Sequence, residues 1–225
     1  RGASGTLYLL GTDDQGRDLL SAILYGLRIS LVVAAVSVSA AFVLGTTFGM
    51  VAGTTGGRVD ALMMRIVDIQ LSVPAILVAL VLLAALGRGV DKIILALISV
   101  QWVYFARTAR AVVLVEQRRE YVDAARNLGL SRARILVGHL LPNALPPLIV
   151  VATVEVAHAI ALEATLSFLG VGLPVTRPSL GLLIANGFAF MLNGEYWISM
   201  FPGVALLLVV FGINLAADRL RDVLD

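Results

Sequence analysis

Long apolar segments alternate with short polar segments along the chain. A helix rises about 1.5 Å per residue, so roughly 20 apolar residues cross a hydrocarbon core of about 30 Å. Three segments of about this length or longer contain no charged side chain, and they cover residues 29–57, 69–87 and 196–217. Each is long enough to span a bilayer, and the pattern therefore predicts an all-α, polytopic membrane protein.

Five membrane spans fit this pattern, with polar or charged residues between them. Pro74 lies inside the second span and should kink it, which a membrane helix tolerates when neighbouring helices satisfy the freed carbonyl group. Arg107 and Arg110 lie near the end of the third span, where long side chains can reach the interface. The predicted spans cover approximately residues 29–52, 59–86, 93–113, 143–168 and 196–217.

Arginine is concentrated in one of the connections between spans. Residues 107–134 contain seven arginines, whereas residues 170–195 contain one. Because positive residues mark cytoplasmic loops, residues 114–138 are predicted to lie inside the cell and residues 1–28 outside. The chain begins at Arg1, and its first residues lack the pattern of a signal peptide. This favours a sixth, N-terminal span upstream over a protein with five spans.

The composition agrees with a membrane location and narrows the range of partners. Hydrophobic residues make up 59% and charged residues 14% of the chain, against about a quarter charged residues in an ordinary soluble domain. The net charge is only +2, and aromatic and basic residues are not interleaved as they are in proteins that bind single-stranded nucleic acid. Membrane lipid is therefore an expected partner, and nucleic acid is not.

Catalytic and metal-binding chemistry is not expected from this chain. It contains no cysteine and only two histidines, His139 and His158, which excludes cysteine-rich and histidine-rich metal sites. Its one lysine, Lys92, is not part of a Walker A loop, and the motifs G-x-S-x-G and H-E-x-x-H do not occur. We therefore expect no catalytic residue, no metal and no cofactor in this chain, and no enzyme activity of its own.

The arginine-rich connection has the pattern of a short helix, a turn and a second short helix. Gly129 should end the first helix, since glycine adopts the left-handed conformation without a Cβ clash, and Ser131 can cap the second. Pro142 marks a break before the fourth span. The segment suits docking on a cytoplasmic partner, or it is an ordinary amphipathic helix on the membrane surface. The predicted apolar face of the first helix consists of Tyr121, Val122, Ala125 and Leu128.

This connection resembles the EAA loop of permeases in binding-protein-dependent ABC importers. The resemblance lies in residues 123–125 (DAA), in Gly129 after three further residues, and in residues 139–142 (HLLP) after nine more. The family has Glu at the position of Asp123, which keeps the charge, and Ile at the position of His139. This spacing is fairly specific for the superfamily.

Four other stretches resemble one branch of that family, the dipeptide, oligopeptide and nickel importers. They are residues 10–18 (LGTDDQGRD), 72–74 (SVP), 102–107 (WVYFAR) and 163–174 (EATLSFLGVGLP). With the EAA-like loop they extend the resemblance over nearly the whole chain. Peptides are therefore the first expectation for the solute, ahead of nickel and other small solutes.

The resemblance implies the type I ABC importer permease fold, in the bacterial cytoplasmic (inner) membrane. Residues 1–28 would be an extracytoplasmic segment, and residues 29–225 a transmembrane permease domain that includes a cytoplasmic coupling segment, 114–142. The implied partners are a second, homologous permease subunit, two cytoplasmic ATPase subunits that bind ATP and Mg²⁺, and an extracytoplasmic solute-binding protein. The chain would form half of a translocation path that works by alternating access. The residues implied to couple to the ATPase are Glu120, Tyr121, Asp123, Ala124, Ala125, Gly129, Leu141 and Pro142.

Two ionisable residues of the fourth span are predicted to lie deep in the membrane. Glu155 is about 20 Å beyond Pro142 along a helix axis, and His158 lies about one turn further on the same face. Ionisable groups at such a depth usually face the bundle interior or a wet cavity. The two residues are candidates for the wall of the translocation path, or they form a structural Glu–His pair. Glu163, nearer the outer face, is expected to be structural.

An ion-gradient-driven secondary transporter or channel is the alternative function. Glu155 and His158 would then form a proton relay across the membrane. This alternative explains the buried ionisable residues, but it leaves the arginine-rich segment without a role.

Glycines recur every four residues from the first span into the connection that follows it. Such a row allows another helix to approach closely. Packing within the bundle is the favoured interpretation, and a sliding or dimer contact is the alternative. The row consists of Gly45, Gly49, Gly53 and Gly57.

Overall fold

A computed structural model describes residues 8–174 and 177–224, and within these ranges nine α-helices make up the fold. Four of the described helical segments are long and apolar enough to cross a bilayer, and a bent pair, α2 and α3, makes five if it counts as one broken span. The helices are α1 (Leu19–Thr55), α2 (Gly57–Leu71), α3 (Ala75–Leu86), α4 (Val90–Glu116), α5 (Glu120–Asn127), α6 (Arg132–Ile135), α7 (Leu141–Phe168), α8 (Leu180–Phe188) and α9 (Trp197–Leu224).

The first helix begins at Leu19, well before the predicted start of the span near residue 29. The Asp18 carboxylate accepts a hydrogen bond from the Ser21 N–H at 3.1 Å and so caps the free N–H groups of the first turn. The 37 residues of α1 extend over about 56 Å, far more than a hydrocarbon core of about 30 Å. The helix therefore projects beyond the membrane.

The predicted kink at Pro74 is a sharp corner. Helices α2 and α3 meet at 86°, with Ser72, Val73 and Pro74 between them. Proline has no N–H for the helical ladder, and it disfavours the helical conformation in the residue before it. The chain therefore leaves one helix and starts another instead of bending within one.

Two ion pairs attach α2 to α4. Arg110 donates from Nε and Nη2 to the two carboxylate oxygens of Asp60, at 2.6 and 2.7 Å. Arg107 forms a second pair with Asp68 at 2.5 Å. The first half of the broken span is thus held along the side of α4.

The core of the bundle is the contact between α1 and α4, where the two backbones lie against each other. A Cβ on Gly45 would collide with the Trp102 carbonyl, and one on Gly49 would collide with the Ala106 carbonyl. Small residues permit this approach because no side chain separates the helices. The interpretation of the row as bundle packing is confirmed for these positions and for Gly53, which contacts α4 through Val113.

Helix α7 does not begin at a break, so the prediction for Pro142 is wrong. The chain is helical from Arg132 to Phe168, through a π-turn at Leu136–Leu140 in which the Leu141 N–H donates to the Leu136 carbonyl. A proline ring clashes with the carbonyl four residues before it, and a wider turn relieves that crowding. The predicted second short helix is therefore the N-terminal end of a helix long enough to cross the membrane.

The connection after α7 contains a helix that the sequence pattern does not predict. Helix α8 packs against α7 and α9, and Ser179 caps it by accepting from the Leu182 N–H at 3.3 Å. Gly181 and Gly187 allow the approach, since a Cβ at either would collide with backbone of the neighbouring helix. The last helix, α9, continues beyond the predicted end of the fifth span at residue 217 to Leu224.

Candidate coupling segment and membrane cavity

The turn after α5 is a Schellman motif. Gly129 has a φ of 78°, and its N–H donates to the Arg126 carbonyl at 2.9 Å. The Leu130 N–H donates to the Ala125 carbonyl at 3.1 Å. These two bonds satisfy carbonyls that a helix end otherwise leaves unpaired. The prediction that Gly129 ends the helix in the left-handed conformation is confirmed.

The next helix starts where the sequence predicts. The Ser131 hydroxyl accepts from the Arg134 N–H at 3.4 Å and caps α6. Because α6 runs on into α7, the turn between Leu128 and Ser131 joins α5 directly to a membrane helix. We call α5 and this turn, residues 120–131, the elbow.

Tyr121 ties the elbow to the membrane helices on both sides. Its hydroxyl donates to Glu116 at the end of α4, at 2.6 Å, and accepts from the Asn143 amide at the start of α7, at 3.0 Å. Its ring stacks on His139, with the ring centroids 6.3 Å apart. Burial and the hydrogen bond to Glu116 raise the pKa of Tyr121 above its usual value, so the hydroxyl keeps its proton at neutral pH.

His139 gains a role that its sequence position does not suggest. It stands where the resembling family has Ile, and its flat ring covers the Tyr121 ring. Asn143 also donates to the His139 carbonyl at 2.7 Å, one turn away. Sequence reasoning missed Glu116, His139 and Asn143 as a group, and the four-residue spacing of the last two was the one available signal.

The polar face of α5 points away from the bundle. Val122 and Ala125 are buried beneath it, and Asp123 and Arg126 form an exposed ion pair at 3.2 Å. Leu128 is 81% exposed, so its assignment to the buried apolar face is wrong, because its backbone has already left the helical conformation. The exposed residues of this face are Glu120, Asp123, Ala124, Arg126 and Asn127.

The other two predicted coupling residues, Leu141 and Pro142, lie at the start of α7, where the first is half-buried and the second exposed. Both residues lie beyond the elbow along the chain. They directly precede Asn143, whose side-chain amide donates to the Tyr121 hydroxyl. The contacts that the structure gives Tyr121 are with Glu116, His139 and Asn143, and the grouping of the predicted coupling residues stays a prediction.

Glu155 is buried in the middle of α7, where its side chain meets α4. It is 4% exposed. Gln101 donates through Nε2 to the Glu155 carbonyl at 2.8 Å and to Oε2 at 3.2 Å. The other oxygen, Oε1, lies 3.3 Å from His158 Nδ1. The predicted Glu–His pair is present, and Gln101 is a partner that the sequence does not indicate.

A cavity of about 320 Å³ opens beside Glu155. Helix α7 supplies Glu155 and three valines to its wall, α4 supplies polar side chains, and Leu71 at the end of α2 lies at its edge. The polar residues from α4 are Tyr104, Arg107 and Thr108. The cavity therefore combines apolar walls with a few polar groups, as small-molecule sites do.

Glu163, the second buried carboxyl group of α7, has an entirely different setting. Its two oxygens accept from the hydroxyls of Ser30, at 2.8 Å, and Ser167, at 2.7 Å. It is fully buried and links α7 to α1. In the part of the chain that the structure describes, no three His, Asp or Glu side chains are grouped as a metal ion would require.

The comparison with protein families decides what kind of protein this is. Residues 45–225 match the family described as binding-protein-dependent transport system inner membrane component. The chain belongs to this family. It is a multi-pass permease subunit of a bacterial ABC importer in the inner membrane, as the EAA-like spacing predicts. Family membership does not favour the ion-gradient-driven alternative.

Named relatives agree with that membership. The permease is 41% identical to the probable D,D-dipeptide transport system permease protein DdpC of Escherichia coli, over 96% of this chain and 72% of the relative. It is 43% identical to a putative peptide transport system permease protein of Brucella suis, over 98% and 74%. It is 40% identical to the dipeptide transport system permease protein DppC of Alkalihalophilus pseudofirmus, over 96% and 70%.

The fold matches a solved transporter. The inward-facing MetNI methionine ABC transporter contains a chain that superimposes with a TM-score of 0.75, over 92% of this permease and 98% of that chain. The two sequences are 22% identical, so the likeness concerns the fold. The predicted ABC importer permease fold is confirmed.

Proposed function

We propose that this permease moves short peptides and that its elbow is the contact through which an ATPase drives the movement. Support for the solute comes from the relatives, which are named as permeases of D,D-dipeptide, peptide and dipeptide transport. Support for the contact comes from the polar face of α5, which is exposed and has partners only within itself.

The observation that carries the proposal is the position of Tyr121. Its hydroxyl bonds to both α4 and α7, so a displacement of α5 is passed to two membrane helices without an intervening flexible loop. Gly129 then fixes the direction in which the chain turns from α5 into α6. The proposed coupling set is Glu120, Tyr121, Asp123, Ala124, Ala125, Gly129, Leu141 and Pro142.

The assembly we propose has the composition that such permeases require. A second, homologous permease subunit completes the path, two cytoplasmic ATPase subunits bind and hydrolyse ATP with Mg²⁺, and an extracytoplasmic binding protein delivers the solute. Residues 1–28 lie outside the cytoplasm, residues 29–225 form the permease domain, and segment 114–142 faces the ATPase. Glu155 and His158 belong to the wall of the translocation path.

Reversal of one charge on the elbow tests the coupling role. Asp123 is exposed on α5, and Asp123→Lys should reduce both peptide uptake and peptide-stimulated ATP hydrolysis by about tenfold, within the range of typical coupling energies. The measurement uses the complete complex in proteoliposomes, with subunit assembly checked separately.

The matched control is Asp14→Lys, which reverses an exposed charge in the opposite end of the molecule and should leave coupling intact. Normal uptake by the Asp123→Lys complex would show that α5 is only a surface helix. Full uptake without ATP would instead support transport driven by an ion gradient.

A further inference from the structure

The face of the permease around Glu155 cannot be a lipid-facing surface. His158, on the same helix, has 66% of its side chain exposed, and the ion pair of Arg107 with Asp68 is also largely exposed. Ionisable side chains at membrane depth face a wet cavity or another protein surface, because hydrocarbon does not solvate them. The side of the bundle formed by α2, α4 and α7 is therefore the side turned toward the solute path.

The cavity on this side has a buried acid as part of its wall. Glu155 is almost fully buried, and among the described residues its carboxyl oxygens have hydrogen-bond partners in Gln101 Nε2 and His158 Nδ1. Among the described residues, no lysine or arginine forms an ion pair with Glu155. The Oε1 atom of Gln101 is buried beside it without a hydrogen-bond partner. Of these two side chains only Glu155 lines the cavity, and its carboxyl oxygens are acceptors for a group that only donates.

We propose that this cavity is a transient binding site for the peptide itself, in which Glu155 receives the α-ammonium group. An ammonium group carries three donors and a positive charge, which matches the acceptor oxygens of the Glu155 carboxyl group in the cavity wall. The volume of about 320 Å³ is at the lower end of the range for small-ligand sites, about 300 to 1,000 Å³. The inference rests on the proposed function, since it assumes that the solute is a peptide.

Arg107 lies at the end of the proposed site opposite to Glu155. It lines the same cavity and follows Gln101 on α4 by about 9 Å along the helix axis. An extended dipeptide reaches about 7 Å and a tripeptide about 10 Å, so the carboxylate of a short peptide held at Glu155 comes near the Arg107 guanidinium. Asp68 occupies one of the five donors of that guanidinium, and the others are available. Peptides with two or three residues are therefore the class that fits.

The absence of cysteine allows a direct test of occupancy. Val151 lines the cavity, and Val151→Cys is combined with cysteine-free partner subunits in the complete complex. L-alanyl-L-alanine should slow the reaction of this cysteine with a small thiol reagent by about fivefold or more. N-acetyl-L-alanyl-L-alanine, which has no ammonium group, should give no protection. In the Glu155→Gln background the protection by the free dipeptide should disappear, and Glu155→Asp should restore part of it.

Two controls separate the site from other effects. Arg118, just beyond the end of α4, is exposed, and the dipeptide should not change the labelling rate of Arg118→Cys. Elution of the Glu155→Gln permease together with its partner subunits in size-exclusion chromatography shows that this complex is folded and assembled. The acetylated peptide tests the role of the ammonium group with the native glutamate in place.

Equal protection by both peptides, equal protection in both backgrounds, or no protection at all would overturn the proposed site. ATP-driven uptake of labelled dipeptide by the wild-type complex is measured alongside. If uptake is present without protection, only the binding site is wrong, whereas if uptake is absent, the proposed peptide transport fails.

Discussion

At the scale of single residues, backbone conformation and side-chain space are separate requirements, and the glycines of this permease divide between them. Gly129 and Gly138 both have open space where a Cβ would stand. Only Gly129 has a positive φ, at 78°. A side chain added at Gly129 therefore strains the backbone, whereas the same side chain added at Gly138 does not, and neither is crowded by its neighbours.

Gly129→Val should disturb the elbow through backbone strain alone. A side chain in the left-handed region costs about 1 kcal/mol or more, and a β-branched residue is worse placed there. We expect the protein to insert and assemble but to lose most of its peptide-stimulated ATP hydrolysis. Gly138→Val is the matched control and should retain it. Equal activity of the two variants in the reconstituted complex would mean that the Schellman turn has no part in coupling.

At the scale of elements, the sequence predicts helices well and their interruptions poorly. The long apolar segments correctly identify the four helices that can cross a membrane, because length and hydropathy are local properties. Pro142 is misread, since a proline that the chain accommodates with a π-turn looks the same in sequence as one that ends a helix. The opposite holds at Pro74. The sequence predicts a kink within one helix there, and the structure has a corner of 86° between two helices.

In the candidate site, features that depend on neighbouring residues are predicted from the sequence, and contacts between helices are not. Gly129 and the cap at Ser131 are predicted because both act within a few residues of themselves. Gln101 beside Glu155 is not predicted, because it comes from another helix, 54 positions away. Contacts of that kind depend on how helices are arranged, and a single sequence contains no direct signal for them.

The contact between α1 and α4 yields a prediction about packing. A Cβ at Gly49 would overlap the Ala106 backbone, which has no room to move, so Gly49→Val should force the helices apart. Overpacking typically costs about 1–3 kcal/mol, occasionally more, and here we expect a lower thermal transition and poor assembly. Gly212→Val on α9 meets open space and should be tolerated. A purified Gly49→Val complex that melts with the wild type would contradict the packing described here.

At the scale of the whole molecule, the bent pair decides the topology. Between residues 14 and 118 the chain passes through α1, the α2–α3 pair and α4. If the pair is one broken span, the membrane is crossed three times, and the two positions lie on opposite sides. If the pair enters and leaves on one side, there are two crossings, and both positions lie on the same side.

Single cysteines at Asp14 and Arg118, both exposed, distinguish these arrangements. We expect an impermeant thiol reagent to label Asp14→Cys from outside and Arg118→Cys only from the cytoplasm, in accord with the distribution of arginine. The permease without an introduced cysteine gives the background level of labelling by the thiol reagent. Labelling of both from one side would remove the fifth span, and if that side is the outside, it would also remove the cytoplasmic position of the elbow.

The glycine-lined contact has a mechanical consequence. Where two helices touch backbone to backbone, there is no layer of side chains that can slide or repack, so we expect α1 and α4 to move together as one rigid unit. One end of that unit is next to the elbow. The other end is next to the loop before α1, where the Trp197 indole N–H donates to the Thr12 carbonyl at 3.4 Å. We therefore expect a displacement of the elbow to be carried along this pair of helices to its other end. The compliance that such a movement needs would come from the places where the helical hydrogen-bond ladder is interrupted, among them the corner at Pro74 and the π-turn at Leu136–Leu140.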